Sequence, residues 1–308
     1  MVMKIYEVEV SKDLKLSDEY AIAIGNFDGI HKGHLELLKE AKKQSENNLK
    51  CATMSFDFSP QKVINNLDNY FVLKSKKQKE ELLEKSGVEV FFLLNFNDEM
   101  KNLSPKDFVE KIIIKNNIKV VICGEDFCFG KDKKGTPDLL KQYSQFKTIV
   151  IPIIKEDNEK IASSNIHELI CYGEIEKANN LLTKEYSMIG IVVHGNKKGR
   201  NLGYATANLM LDTSYRIPQT GVYATKVIIG DKEYYGICNV GHNPTLNYRL
   251  NVSVEVHLLD FNEDIYDQEI EVVFYKYLRR EKVFENKEEL IKQINQDESN
   301  VRKYFKLV

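Results

Sequence analysis

The chain has 308 residues, of which 43% are hydrophobic and 29% charged, with a formal net charge of -2. That length predicts two domains, and the composition is that of a soluble globular protein. The near-neutral balance argues against a nucleic-acid binder, whose affinity rests on many lysines and arginines set against phosphates. The five cysteines (Cys51, Cys123, Cys128, Cys171 and Cys238) are scattered, with no CxxC pair, which reads as reduced thiols in the cytoplasm. The opening MVMKIYEVEV has no apolar signal core. The longest apolar runs, such as Ile149 to Ile154, are far shorter than a span and contain Pro152, so no membrane association is expected.

In chain order, Tyr20 to Gly25 reads as a buried strand, Gly33 to Asn47 as a helix and Lys50 to Phe56 as the next strand. A helix at Ser75 to Ser86 and a strand at Val88 to Leu94 follow. Ser104 is placed as an N-cap, with Pro105 at the first helical position and Asp107 in the first turn, and this helix is predicted to run to about Asn116. Ile118 to Gly124 is again a strand, Thr136 with Pro137 repeats the cap-plus-proline device, and Lys147 to Ile154 is the last strand of this half. Strands alternating with helices predict a parallel sheet covered on both faces.

The texture changes near Ser163. Two helical pieces, Ser163 to Cys171 and Glu174 to Leu182, lead into a nearly all-β region. Strands are expected at Ser187 to His194, Val222 to Ile229, Glu233 to Val240, Val252 to Leu259 and Glu269 to Tyr275. Gly230-Asp231 fits a hairpin turn. Val252, Val254, Val256 and Leu258 alternate and define one inward face. A polar helix is expected from Asn286 to Phe305. The domain boundary is set near 186, giving domains 1–185 and 186–308.

Three segments carry chemistry. The first, GNFDGIHKGH at Gly25 to His34, follows the first predicted strand and opens the first helix. That is where an open α/β sheet binds its ligand and where a helix N-terminus offers free N–H groups to a phosphate. His31 and His34 add donors able to carry positive charge as phosphate charge develops. An HxxH pair alone reads sooner as a capped loop with two surface histidines. A zinc site would lack further Cys or His ligands. Neither a GxxxxGK[ST] loop nor a GxGxxG loop occurs. The whole string resembles the (G)xFDxxHxGH motif of the nucleotidyltransferases. That resemblance implies a Rossmann-like domain in which His31 and His34 hold a triphosphate, with Gly25, Phe27, Asp28 and Gly29 in the nucleotide site.

The second is GEDFCFGKDKKG at Gly124 to Gly135, with IASSNIH at Ile161 to His167. Read alone, these are a glycine-bounded loop and a helix start. They resemble the GxDFRFGxxxxG and ISSTxIR segments of bacterial FAD synthetases, which implies that Gly124, Asp126, Phe127, Ser163 and His167 bind nucleotide or flavin. Three positions depart from the family pattern: Cys128 and His167 each stand for an arginine, and Ser59 for a histidine. Arginine is always cationic and grips phosphate with two parallel bonds, whereas histidine offers one contact and part of a charge.

The third is VHGNKKGRNLGYATANL at Val193 to Leu209. Thr206 and Asn208, two apart in an extended segment, point to one side, and their oxygens are hard neutral ligands suited to Mg²⁺. Gly195, Gly199 and Gly203 permit a loop that closes over phosphates. Spacing alone fits a plain turn-rich connection as well. The string resembles the riboflavin kinase pattern GRxLGxPTAN, with Ala205 in place of proline. GVY at Gly221 to Tyr223, NVGHNPT at Asn239 to Thr245, VEVHLLDF at Val254 to Phe261 and LRREKVF at Leu278 to Phe284 extend the match over the second domain. The chain is thus similar throughout to the bifunctional riboflavin kinase/FMN adenylyltransferase family. That resemblance implies a Greek-key barrel with a C-terminal helix in the second half, with Glu255 as general base, Thr206 and Asn208 on Mg²⁺, and Gly195, Gly199, Arg200, Gly203 and Asn239 around ATP and flavin. It further implies riboflavin, FMN, FAD and ATP/ADP as ligands and admits a homo-oligomer. The departures leave open a kinase whose N-terminal nucleotide-binding domain is weak or silent, and a flavin-binding regulator without activity is the remaining alternative.

Overall fold

The computed structural model describes residues 2–46, 48–56, 71–156, 159–194, 206–211, 213–242 and 252–307. By its contacts the chain divides into two units, Met1–Tyr70 with Lys76–Ser163, and Phe71–Ser75 with Ser164–Val308.

The first unit is built on six parallel strands: β1 (Lys4–Val8), β2 (Tyr20–Ile24), β3 (Lys50–Phe56), β4 (Val90–Leu94), β5 (Ile118–Gly124) and β6 (Lys147–Ile151). Their order is β1-β4-β3-β2-β5-β6. A parallel sheet is covered on both faces, so its central strands are apolar along their whole length rather than alternating. YAIAI of β2 and VFFLL of β4 are buried at every position. Two cores result, one on each face: Ile22, Met54, Phe92 and Val121 lie on one side and Ala21, Ala23, Phe91 and Ile122 on the other. β1 has no counterpart in the sequence reading. It is an edge strand, and three of its residues are exposed, so it carries little apolar signal.

Helices Lys32–Ser45, Lys76–Lys85, Asp98–Lys101 and Pro137–Leu140 connect or flank these strands. The predicted caps are present. Ser104 Oγ accepts from the Asp107 amide at 3.0 Å and Thr136 Oγ1 from the Leu139 amide at 3.4 Å. The helix begun by Pro105 does not run regularly to Asn116. It is α-helical over Pro105–Phe108 and continues as a wider π-type coil over Val109–Ile114. A short antiparallel pair, β7 (Lys155–Glu156) with β8 (Glu159–Lys160), precedes the last helix start of this unit.

The second unit is a closed antiparallel barrel of β9 (Ser187–Val193), β10 (Thr206–Met210), β11 (Gly221–Ile229), β12 (Lys232–His242), β13 (Val252–Leu258) and β14 (Glu269–Arg279), ordered β10-β13-β12-β11-β14-β9. The Gly230-Asp231 turn joins Ile229 to its partner Lys232 as expected. Val254, Val256 and Leu258 face the barrel core, with Cys238, Val240 and Tyr223. The helices Ser163–Cys171 and Ile175–Leu181 contribute Ile166, Ile170, Ile175 and Ala178 to this same core, whereas a boundary at 186 groups them with the sheet.

Residues 71–75 form a strap on the barrel. Val72 bridges Tyr215, and Lys74 is buried, donating to the Glu185 carbonyl at 2.6 Å and to Ser187 Oγ at 2.8 Å. Ser187 in turn donates to Glu271 at 2.7 Å. Burial is the main cause that lowers the Lys74 ammonium to about 7, against the pull of Glu271.

The C-terminal helix, Lys287–Phe305, starts at the Asn286 cap and lays Val301 against Val222, Ala224, Ile237 and Leu259 on the barrel exterior. It is fastened by an ion pair. Arg279 grips the 2%-exposed Asp297 through Nε at 3.0 Å and through a second nitrogen at 2.7 Å, and Gln293 donates to the same carboxylate. Removing one partner of such a pair strands the other charge. Asp297→Ala is therefore expected to destabilise the barrel unit by about 3–5 kcal/mol, read as a lower denaturant midpoint of that unit's unfolding, while Lys292→Ala on the same helix shifts it little.

Candidate functional site

A cavity of about 810 Å³ opens at the carboxyl ends of the parallel strands. Its wall takes Gly25 and Asn26 after β2, Ser55 and Phe56 at the end of β3, Phe96 after β4, Gly124 with Asp126 to Phe129 after β5, and Pro152 after β6. β2 leads through the helix Lys32–Ser45 to β3 on one side, while β5 flanks β2 on the other. The chain direction reverses there, and that reversal leaves a crevice no crossover fills.

The histidine loop is folded tightly under this crevice. Phe27, Gly29 and Ile30 all have left-handed backbone, with φ of 49°, 79° and 46°. Left-handed geometry is costly for a β-branched residue such as Ile30. Burial of Phe27 and Ile30, 0% and 1% exposed, anchors the loop against that cost. The turn delivers His31 to the N-cap of the helix Lys32–Ser45, where its Nδ1 accepts the His34 amide at 3.3 Å. Gly33 makes room for it: a Cβ there would stand 3.1 Å from the His31 ring. The His34 ring stacks on His31 with centroids 3.7 Å apart and rests on Phe27 at 4.9 Å.

These contacts fix the protonation of both rings. With Nδ1 accepting, a neutral His31 carries its proton on Nε2. Burial lowers His31 to about 4, although Asp28 and Asp126 pull it upward. His34 is held well below its ordinary value by burial first, then by His31 and Lys79. Burial thus favours the neutral form of both imidazoles near pH 7. In that form each ring offers one N–H group. His34 Nδ1 has no hydrogen-bond partner among the described residues, so a polar group arriving there satisfies a buried atom.

Of the other predicted residues of this half, Gly25, Gly124, Asp126, Phe127 and Ser163 line the cavity with the two histidines. Phe27, Asp28 and Gly29 do not, and they act beneath it. Phe27 backs His34, the Asp28 carbonyl accepts from Ser163 Oγ at 3.0 Å, and Gly29 turns the loop. His167 is not in the lining; its Nδ1 accepts from Arg216 Nε at 3.1 Å. Cys128 lies in the cavity wall in place of the family's arginine. Asp126 pairs with Lys160, a cavity residue the sequence reading missed. Ser59 lies outside the described residues.

On the barrel, Asn208 of β10 pairs with Glu255 of β13, and Glu255 with Asn239 of β12. Registered residues of adjacent strands lie side by side on one face, with Cβ atoms about 5 Å apart. Asn208, Glu255 and Asn239 thus make one row across three strands, on the face turned away from the barrel core. Thr206, opposite His257, lies on the same face two residues along. Asn239 Nδ2 also reaches Glu281 at 3.4 Å, a carboxylate the sequence reading did not single out. The grouping holds only hard oxygen and amide donors, which suits a hard cation bridging phosphates. Gly195, Gly199, Arg200 and Gly203 lie outside the described residues.

Comparison with known proteins finds the same two kinds of domain. The family model for FAD synthetase matches residues 14–165 and that for riboflavin kinase residues 182–305. A bifunctional riboflavin kinase/FMN adenylyltransferase of Listeria monocytogenes is 34% identical over 288 residues, and one of Bacillus subtilis is 36% identical over 290, each alignment covering 92% of both chains. A solved structure from Streptococcus pneumoniae, described as a macrolide-efflux protein, superposes with a TM-score of 0.88 at 32% identity, covering 97% of this chain and 99% of that one. Among the described residues no helix is long and apolar enough to cross a membrane. With the two sites in the order of the two family models, and with alignments running nearly end to end, the chain belongs to the bifunctional riboflavin kinase/FMN adenylyltransferase family.

Proposed function

We propose that this chain makes FMN from riboflavin on its barrel and FAD from FMN in its sheet cavity, using one ATP at each site. The observation that carries the reading is the stacked, neutral histidine pair beneath the switch-point cavity. It supports an active N-terminal half, despite Cys128 and His167, over a silent one.

On the barrel, the 5′-hydroxyl oxygen of riboflavin attacks the γ-phosphorus of ATP. Glu255 accepts the hydroxyl proton, and ADP leaves. Asn208 and Asn239 flank Glu255 in the row described above and orient the groups around it. Thr206 and Asn208 would hold Mg²⁺, which when bound screens the phosphate charge. In the cavity, an FMN phosphate oxygen attacks the α-phosphorus of a second ATP, and pyrophosphate leaves. The Nε2–H of His31 and an N–H of His34 donate to the phosphate oxygens as charge accumulates there. Neither transfer needs a covalent enzyme intermediate, because positioning and electrostatics suffice. The unpaired state of all five cysteines supports a reducing cytoplasm as the place of work.

Chromatography of the flavins after incubation with riboflavin, ATP and Mg²⁺ tests this. FAD is the expected product; FMN alone indicates a silent N-terminal half, and unchanged riboflavin removes both activities. Glu255→Gln is expected to abolish FMN formation while leaving FAD formation from supplied FMN intact. A variant that loses both activities refutes the division of labour.

The histidine pair also predicts a pH dependence. Unfolded His31 takes a proton near 6.5, but folded His31 only at about 4. The unfolded chain therefore binds more protons between these values, and stability is lost as pH falls through that window, by up to about 3 kcal/mol. The melting temperature of the N-terminal unit should drop on going from pH 7 to pH 5. His31→Asn keeps a side-chain cap for the helix and should flatten that drop. An equal drop in the variant contradicts the assignment.

A further inference from the structure

Lys79 lies on the helix Lys76–Lys85, yet its ammonium turns inward to the strand ends. It donates to the Asn26 carbonyl at 2.9 Å, to Ser55 Oγ at 2.7 Å and to the Phe56 carbonyl at 3.3 Å. These three acceptors are all protein oxygens. Asn26 follows β2 and Ser55 and Phe56 close β3, and all three residues line the cavity. Ser55 is 1% exposed, and its hydroxyl lies 2.9 Å from the same Asn26 carbonyl. One cation thus ties two adjacent strand ends at the segment that leads into the histidine loop.

We propose that Lys79 is a positioning residue for adenylyl transfer: its ammonium locks the Asn26 and Ser55–Phe56 backbone at the cavity edge and sets a fixed positive charge behind the histidine pair. With its protons directed to protein oxygens, it acts through those groups rather than by gripping substrate. The same charge is among the causes that keep His34 neutral, after burial and His31. A neutral methylene chain in its place leaves two carbonyls and a hydroxyl without their shared donor. Ser55 Oγ still reaches the Asn26 carbonyl, but the strand ends beneath the loop are held less tightly, and small misplacements of reacting groups cost rate steeply.

The assignment rests on reading the cavity as the adenylyl-transfer site, and the test separates the two. Full-length wild type, Lys79→Met, Lys79→Gln and Lys79→Arg are assayed for FAD formation from FMN and ATP, and for riboflavin phosphorylation in the same preparations. Lys79→Met and Lys79→Gln are expected to lose about 100-fold in kcat with little change in KM for ATP. Lys79→Arg, which keeps charge and reach, should recover most of it, and riboflavin phosphorylation should be unchanged in all. Lys79→Gln is read in place of Lys79→Met if the latter lacks the N-terminal melting transition. Wild-type kcat in the neutral variants, or an arginine variant as poor as they are, overturns the assignment alone. A wild-type chain that makes no FAD overturns the reading of the cavity and the assignment with it.

Discussion

Two imidazole rings stacked 3.7 Å apart in a buried loop are costly to charge, because burial disfavours the ion on each and His31 adds to that at His34, and the N-terminal half is organised around that constraint. Where the rings are neutral, the tautomer of each decides which nitrogen can donate. The cap bond from the His34 amide to His31 Nδ1 fixes it for the first ring. The left-handed turns at Phe27, Gly29 and Ile30 are the backbone cost of presenting it. Burial of Phe27 and Ile30 in the sheet core offsets that cost, which is why the loop follows a fully buried strand.

The barrel solves a similar problem by other means. Where the sheet concentrates its polar atoms in one strained loop, the barrel spreads them across strands and lets register align them. Asn208, Glu255 and Asn239 come from three separate strands, and only the pairing of those strands makes them neighbours. The outward face that carries this row continues to Val222 and the C-terminal helix, so the Arg279–Asp297 pair that fastens the helix also braces the surface on which the row stands.

Much of this was legible in the sequence because the signals were local. Caps at Ser104 and Thr136, the Gly230-Asp231 turn and the apolar run of β2 depend on a few neighbouring residues, and the structure contains them. The histidine loop was legible as a string, but its electrostatics were not. Donors able to carry charge were expected, and nothing in GNFDGIHKGH announces that both rings are buried and held below their ordinary value. β1 went unread because an edge strand with three exposed residues has no period to detect. The sequence does not show that the helices after Ser163 pack into the barrel core, since amphipathicity tells that a face is buried and not against what. Lys79 and Lys160 look like ordinary surface lysines in the sequence. Only tertiary contact shows that one reaches the strand ends and the other pairs with Asp126 in the cavity wall.

The strap at residues 71–75 bears on how such a protein can be divided. It precedes a helix of the sheet unit in the chain, yet it bridges Tyr215 and seats Lys74 beside Ser187 and the Glu185 carbonyl in the barrel unit. No single cut in the polypeptide releases the barrel whole. A fragment beginning anywhere after Ser163 loses the Val72 bridge to Tyr215 and the Lys74 ammonium that donates to Ser187 and the Glu185 carbonyl, and keeps only Lys184 against Glu271. Separating the two halves into independent genes would require a replacement for five residues encoded far upstream.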